Sequence, residues 1–158
     1  MRRIFTILCI VIGCSAHAQS FNLKELLSFK DHDIEFFHHY VRSKGYTYEK
    51  SRYDLKKESY SYIFLPDVDH DLHEIKYVEG DSGPAITYIS TDSADYYQLK
   101  RELELLQFKV VRHVPKQENG RSVLMIICTD GNNTVNLYNS YIEDATHRFL
   151  RLYRIKIL

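Results

Sequence analysis

The chain has 158 residues, with 21 Lys and Arg against 21 Asp and Glu, and it is 44% hydrophobic and 13% aromatic. That balance excludes a disordered chain, which would be apolar-poor and highly charged, and it lacks the one-signed basic excess expected of a nucleic-acid binder. Three Cys are too few for a disulfide scaffold.

Arg2 and Arg3, followed by the apolar run Ile4 to Gly13, form an export signal whose apolar part is too short to span a bilayer. Ala16-His17-Ala18 gives the small-x-small pattern of a cleavage site, so residues 1–18 are expected to be removed as a signal peptide before Gln19. The Ala-Gln junction resembles those of exported Bacteroidota proteins. Val11-Ile12-Gly13-Cys14 resembles the lipobox of bacterial lipoproteins, so the expected address is periplasmic or extracellular, with a membrane anchor only if Cys14 is lipidated. Cleavage leaves 19 basic against 21 acidic residues and Cys128 alone, so no internal disulfide can form. Cys128, at the end of the apolar run from Val123, reads as a small buried hydrophobe.

Asn22 followed by Glu25 is a capping box for a short helix carrying Leu23, Leu26 and Leu27. After Asp31-His32-Asp33, the spacing of Ile34, Phe37 and Val41 predicts a second helix ending at Gly45. Strand patterns follow at Tyr46–Tyr48, Tyr60–Phe64, Glu74–Val78 and Ala85–Ser90, the last two flanking a Gly80–Pro84 turn. Ser93 then caps a helix with Tyr96, Leu99, Leu103 and Leu106, and strands are expected at Phe108–Val111, Ser122–Cys128, Val135–Tyr141 and Phe149–Ile157.

The second half replays the first at an offset of 62. Ile34, Phe37 and Val41 fall on Tyr96, Leu99 and Leu103; Tyr46 falls on Phe108; Tyr60, Tyr62 and Phe64 fall on Ser122, Leu124 and Ile126; Ile75 falls on Leu137. The predicted fold is therefore α+β: two tandem α-β4 units, residues 19–91 and 92–158, forming one compact domain. A four-stranded unit with one covered face is marginal alone, so the two should join into one antiparallel sheet of about eight strands with the helices on one face. This plan resembles the β-lactamase inhibitor protein, a secreted tandem of helix-plus-four-strand units that offers a concave sheet to its partner. The resemblance is of architecture: no sequence motif is shared, and the paired disulfides of that protein cannot form with one Cys.

In Asp67–Glu74, six of eight residues are potential cation ligands, and Asp67, Asp69, His70, Asp71 and His73 form the candidate metal set. Counted as an EF-hand loop the match fails, since Leu72 and Val78 stand where Gly and Glu are needed. The corresponding Thr129–Asn133 is a plain turn, which favours a solvated loop without a metal or other cofactor. His32, His38 and His39 among Asp31, Asp33 and Glu35 read as a solvated polar face. No nucleophile elbow, zinc-protease motif, phosphate loop or Cys-His signature is present, so no enzyme is expected. All 13 Tyr lie after the signal peptide. Tyr46, Tyr48, Tyr60 and Tyr62 alternate along strands, as candidate contacts on an open sheet face or as cross-strand packing. The expected function is an exported, non-catalytic module that binds a protein partner and no nucleic acid. An inhibitor or immunity-type protein against an exported enzyme, and a metal-dependent activity of the 67–74 loop, are the alternatives.

Overall fold

A computed structural model of the chain describes residues 20–67, 73–81, 83–118, 121–143 and 149–158. The expected signal peptide and lipobox, and residues 144–148 of the last hairpin, lie outside them. Asn22 opens α1 (Leu23–Ser28) with the predicted reciprocal cap: its side chain accepts from Glu25 N and the Glu25 carboxylate accepts from Asn22 N, both at 2.9 Å. A 3-10 turn over Phe29–Asp31 leads to α2 (Ile34–Ser43), capped by the Asp33 carboxylate, which accepts from Phe36 N. α3 (Ser93–Leu105) begins differently from the sequence expectation. Asp92, not Ser93, is its cap, because the longer carboxylate accepts from Ala94 N at 2.7 Å and leaves Ser93 as the first helical residue. Among the described residues no helix is long and apolar enough to cross a membrane.

The strands are β1 (Tyr46–Asp54), β2 (Ser59–Pro66), β3 (His73–Glu79), β4 (Ala85–Ser90), β5 (Lys109–Glu118), β6 (Arg121–Thr129), β7 (Thr134–Glu143) and β8 (Phe149–Ile157). They form one antiparallel sheet in the order β1-β2-β3-β4-β8-β7-β6-β5, two meanders joined at β4 and β8. The fold is the predicted α+β pair of α-β4 units, with the helices on one face. Phe37 and Val41 of α2 and Leu99 and Leu103 of α3 are buried against Phe64, Ile75, Ile86, Leu137 and Ile155 of the sheet. Cys128 joins this core, where burial pushes its thiol pKa up.

The halves correspond at 62 residues through the first strand of each. Gly45 (φ 81°) matches Gln107 (φ 62°), buried Tyr46 matches Phe108, and a bulge between Tyr48 and Lys50 matches one between Val110 and Arg112. Beyond that point the hydrogen-bonded ladder departs from the sequence register. The β1 bulge faces Phe64 and Ile63 and the β5 bulge faces Cys128 and Ile127, so β2 and β6 correspond at 64. Ile75 opposite Phe64 then answers to Val135 opposite Cys128, at 60, and Tyr88 opposite Ile75 to Ile157 opposite Val135, at 69. The matches of Tyr60, Tyr62 and Phe64 to Ser122, Leu124 and Ile126, and of Ile75 to Leu137, are thus displaced by two residues. A slip of two preserves the inward-outward alternation of a strand, so the hydrophobic pattern does not register it. In this correspondence Thr87 pairs with its own counterpart, Lys156, and the pseudo-two-fold axis runs between them.

Glu25 ties the helices of the first half together. Its carboxylate accepts from the Tyr40 hydroxyl at 2.6 Å and lies 2.9 Å from Lys44 Nζ, while Glu102 of α3 accepts from Leu23 N. Burial acts to raise the Glu25 pKa, but the hydrogen bonds from Tyr40, Lys44 and Asn22 outweigh it and hold the group below its ordinary value. The folded pKa is depressed, so this contribution to stability is complete above the unfolded value of 4.5 and is lost as the pH falls through the lower folded value. Glu25→Gln is expected to flatten that part of the acid limb in urea unfolding. At the matched helix ends, Gly45→Ala should destabilise by about 1 kcal/mol and Gln107→Gly should stabilise by about 0.5 kcal/mol, since only Gly meets a positive φ without a Cβ clash. Urea midpoints of the two variants check the opposed signs.

Candidate functional site

The four candidate tyrosines do not lie on the helix-free face of the sheet. Tyr46 is only 1% exposed, its ring 5.2 Å from that of Phe21. It is a core residue and unavailable to a partner. Tyr48, Tyr60 and Tyr62 pair with Phe64, Glu79 and Tyr77, which places them on the helix-bearing face. Plain alternation is the reason, because Tyr48 is two residues from buried Tyr46 and Tyr60 and Tyr62 are in phase with buried Phe64; the bulge at Glu49 then turns Lys50 to the other face and Tyr53 toward Tyr60. Tyr48 and Tyr60 remain half-exposed beyond the edge of α2, at 48% and 50%. Tyr60 packs on Tyr53, with centroids 4.6 Å apart, whereas Tyr48 and Tyr62 join Ile34, Glu35, His38 and Phe64 around a groove of about 280 Å³.

The loop candidates separate. Asp67 is exposed and its backbone N–H donates to Gly45 O, Asp69, His70 and Asp71 lie outside the described residues, and His73 turns into the protein. No group of three ligating side chains close enough to hold a metal occurs among the described residues. Thr129–Asn133 is the expected turn, with Asp130 accepting from Asn132 N and Asn133 N. Of the polar cluster around α2, Glu35 and His39 face solvent as expected, but His38 leans over Phe64 at 5.4 Å.

His73 belongs instead to a network that the sequence did not reveal. The Tyr88 hydroxyl donates to Asp95 Oδ2 at 2.7 Å, Ser90 Oγ donates to the same oxygen at 3.2 Å, and His73 Nδ1 lies 3.1 Å from the Tyr88 oxygen. With the Tyr88 proton committed to Asp95, His73 Nδ1 is the donor to Tyr88. Asp92 N donates to Ser90 Oγ, so this hydroxyl is held on both sides. Burial, with Tyr46 and Asp95 close by, pushes the Tyr88 pKa far up and keeps the phenol protonated. Tyr88 and Asp95 are 1% and 9% exposed. The enclosed, satisfied atoms fix the start of α3 against β3 and β4 and leave no free nucleophile among them. The second half supplies the contrast: Tyr46 and Tyr88 are replaced there by Phe108 and Ile157, so the fold itself does not require the hydroxyls. These residues are scattered over positions 73 to 95, and only the strand register assembles them.

The helix-free face carries a second missed feature. One cross-strand row runs Lys50, Ile63, Lys76, Thr87, Lys156, Asn136, Ile127, Arg112 through all eight strands. It is palindromic in the structural correspondence: Lys50 answers to Arg112 and Ile63 to Ile127. Arg52, Lys116 and Arg154 flank the row, Arg154 lying 4.8 Å over the Tyr138 ring. Among the described side chains the acids on this face are Glu49, 2.8 Å from Lys50, Asp54, 3.6 Å from Lys57, and Glu74, 2.5 Å from Lys76. The sheet curls around its centre. Burial lowers the Lys156 pKa, and Lys57 and Lys116, from opposite ends of the sheet, lower it further. On a flat sheet Lys116, three strands across and four residues along, would stand about 20 Å away. Ile63, Ile89, Met125 and Leu152 on the same face are also buried, although no described helix lies over them.

Removing the acceptor with Asp95→Ala leaves two buried hydroxyls without it, and is expected to cost about 2–3 kcal/mol in urea unfolding. Combining Asp95→Ala with Tyr88→Ile, the residue type of its counterpart Ile157, and with His73→Val should recover part of that loss, because the Tyr88 hydroxyl that would lack its acceptor and the His73 ring that donates to it are then both removed. No protein-family model, curated protein or solved structure matches this chain, and the internal comparison between its halves is the one that bears on the site.

Proposed function

We propose that the chain is an exported, non-catalytic binding module whose curled, helix-free sheet face receives an acidic surface of a protein partner. The observation that carries this reading is the cationic row Lys50, Lys76, Lys156 and Arg112, with Arg52 and Lys116 beside it, which outnumbers the described acids of the face, Glu49, Asp54 and Glu74, each already beside a lysine. The lowered Lys156 pKa supports it, since a partly buried ammonium crowded by like charge gains most from an incoming carboxylate. Ile127 and Tyr138, partly exposed between the cations, supply apolar contact area of the kind found in a protein interface, in contrast to the continuous charge of a polyanion site. The recognising groups are thus lysines and arginines, in place of the tyrosines that the sequence suggested.

The test is capture from a periplasmic and outer-membrane extract by the chain from Gln19, beside Lys50→Glu/Lys156→Glu/Arg112→Glu and beside Tyr48→Ala/Tyr60→Ala. An acidic protein should be retained by the native chain and the tyrosine variant, released by about 0.5 M salt, and bound at least ~100-fold more weakly by the charge-reversed variant. Equal capture by the charge-reversed variant would overturn the reading.

A further inference from the structure

On the other side of the sheet, the groove between α2 and the outer strands has a composition of its own. Phe64, 1% exposed, forms its floor; Tyr48 meets it at 5.6 Å and 68°, and His38 stands 5.4 Å from Phe64 and 6.5 Å from Tyr48. Ile34 and His38, four residues apart on α2, make one wall, Tyr62 lies opposite, and the carboxylate of Glu35 stands at the mouth. The Tyr62 hydroxyl donates to Glu79 at 3.2 Å, which adds a second carboxylate next to the rings. The positive end of α2 is answered locally, because the Asp33 side chain accepts from Phe36 N.

A cation seated over the triangle of His38, Tyr48 and Phe64 reaches all three centroids within the ~6 Å over which ring quadrupoles attract positive charge. The groove is small, about 280 Å³, enough for one head group and too small for a folded surface. Its lining offers ring surface and a carboxylate but few acceptors, and the Tyr62 proton is already committed. A primary ammonium or guanidinium keeps its N–H groups toward Glu35 and water and gains less from the rings, whereas a cation without N–H donors turns its methyl groups to them at no cost in hydrogen bonds. We infer that this groove is a binding site for a quaternary alkylammonium head group, held by the rings of Tyr48, Phe64 and Tyr62 and by the charge of Glu35. It lies on the opposite face from the cationic row and is independent of the protein-binding reading.

The experiment titrates choline into the chain from Gln19 while following the aromatic side-chain resonances by NMR. Parallel titrations use 3,3-dimethylbutanol, the neutral isostere, and ethanolamine, the primary amine. Saturable shifts of the Tyr48 and Tyr62 rings are expected with choline, at least ~10-fold weaker binding of both comparators, and a similar loss in Glu35→Gln and Tyr48→Ala. Both substitutions are at exposed positions, and an unchanged urea midpoint verifies that the variants fold. Equal binding of the isostere would reduce the site to an apolar slot and overturn the inference, as would the absence of saturable shifts with choline, or full affinity in Glu35→Gln.

Discussion

Everything in this molecule depends on the pairing of β4 with β8. Each α-β4 unit has two sheet edges and one uncovered face, and a sheet of four strands with a short helical layer is too small to bury a sufficient core. Joining the units through Ile86–Ser90 and Tyr153–Ile157 makes one continuous surface on which α1, α2 and α3 lie side by side. The bond from Leu23 N to Glu102 crosses between the halves on that layer, so the helices repeat the connection made by the strands. The same junction places Lys156 at the centre of the opposite face, where the two wings curl toward it.

Much of the architecture was legible because it rests on local rules. The Asn22–Glu25 box, the Gly45 terminus and the alternating strands each follow from a few neighbouring residues, and the internal repeat told how the pieces should join. What stayed hidden depends on register. The bulge at Glu49 moved Lys50 to the helix-free side and Tyr53 to the helix side, and no feature of Tyr48-Glu49-Lys50 announces it. The displacement of β6 and β7 by two residues was invisible for a different reason, since alternation looks the same after an even slip. The polar network failed the sequence reading because Tyr88 and Ser90 look like ordinary strand residues until Asp95 is folded back over them.

Composition hid the cationic face in a similar way. A net charge of zero describes the sum, whereas recognition depends on where the charges stand. On the helical layer Glu25, Asp33, Glu35, Asp95 and Glu102 stand among Lys24, Lys30, Arg42, Lys44, Lys100 and Arg101, whereas the opposite surface keeps the lysines and arginines of alternate strand positions. The two sides of the sheet therefore present different chemistry although the chain is formally neutral. The aromatic groove lies on the helical side, with Glu35 in its lining and Glu79 bonded to Tyr62.

The bulges that serve as landmarks for the duplication also decide how large the sheet can become. β1 and β5 are its outer strands, and each is interrupted at the same place, at Glu49 and Val111, where an approaching strand would lose its ladder. Pro115 removes a further donor from β5, and Lys50 and Arg112 set like charges along both rims. Each unit thus has one adhesive edge and one closed edge. Two units joined adhesive edge to adhesive edge leave only these interrupted, charged rims, so the duplication that completes the core also disfavours growth. Eight strands are where this assembly stops.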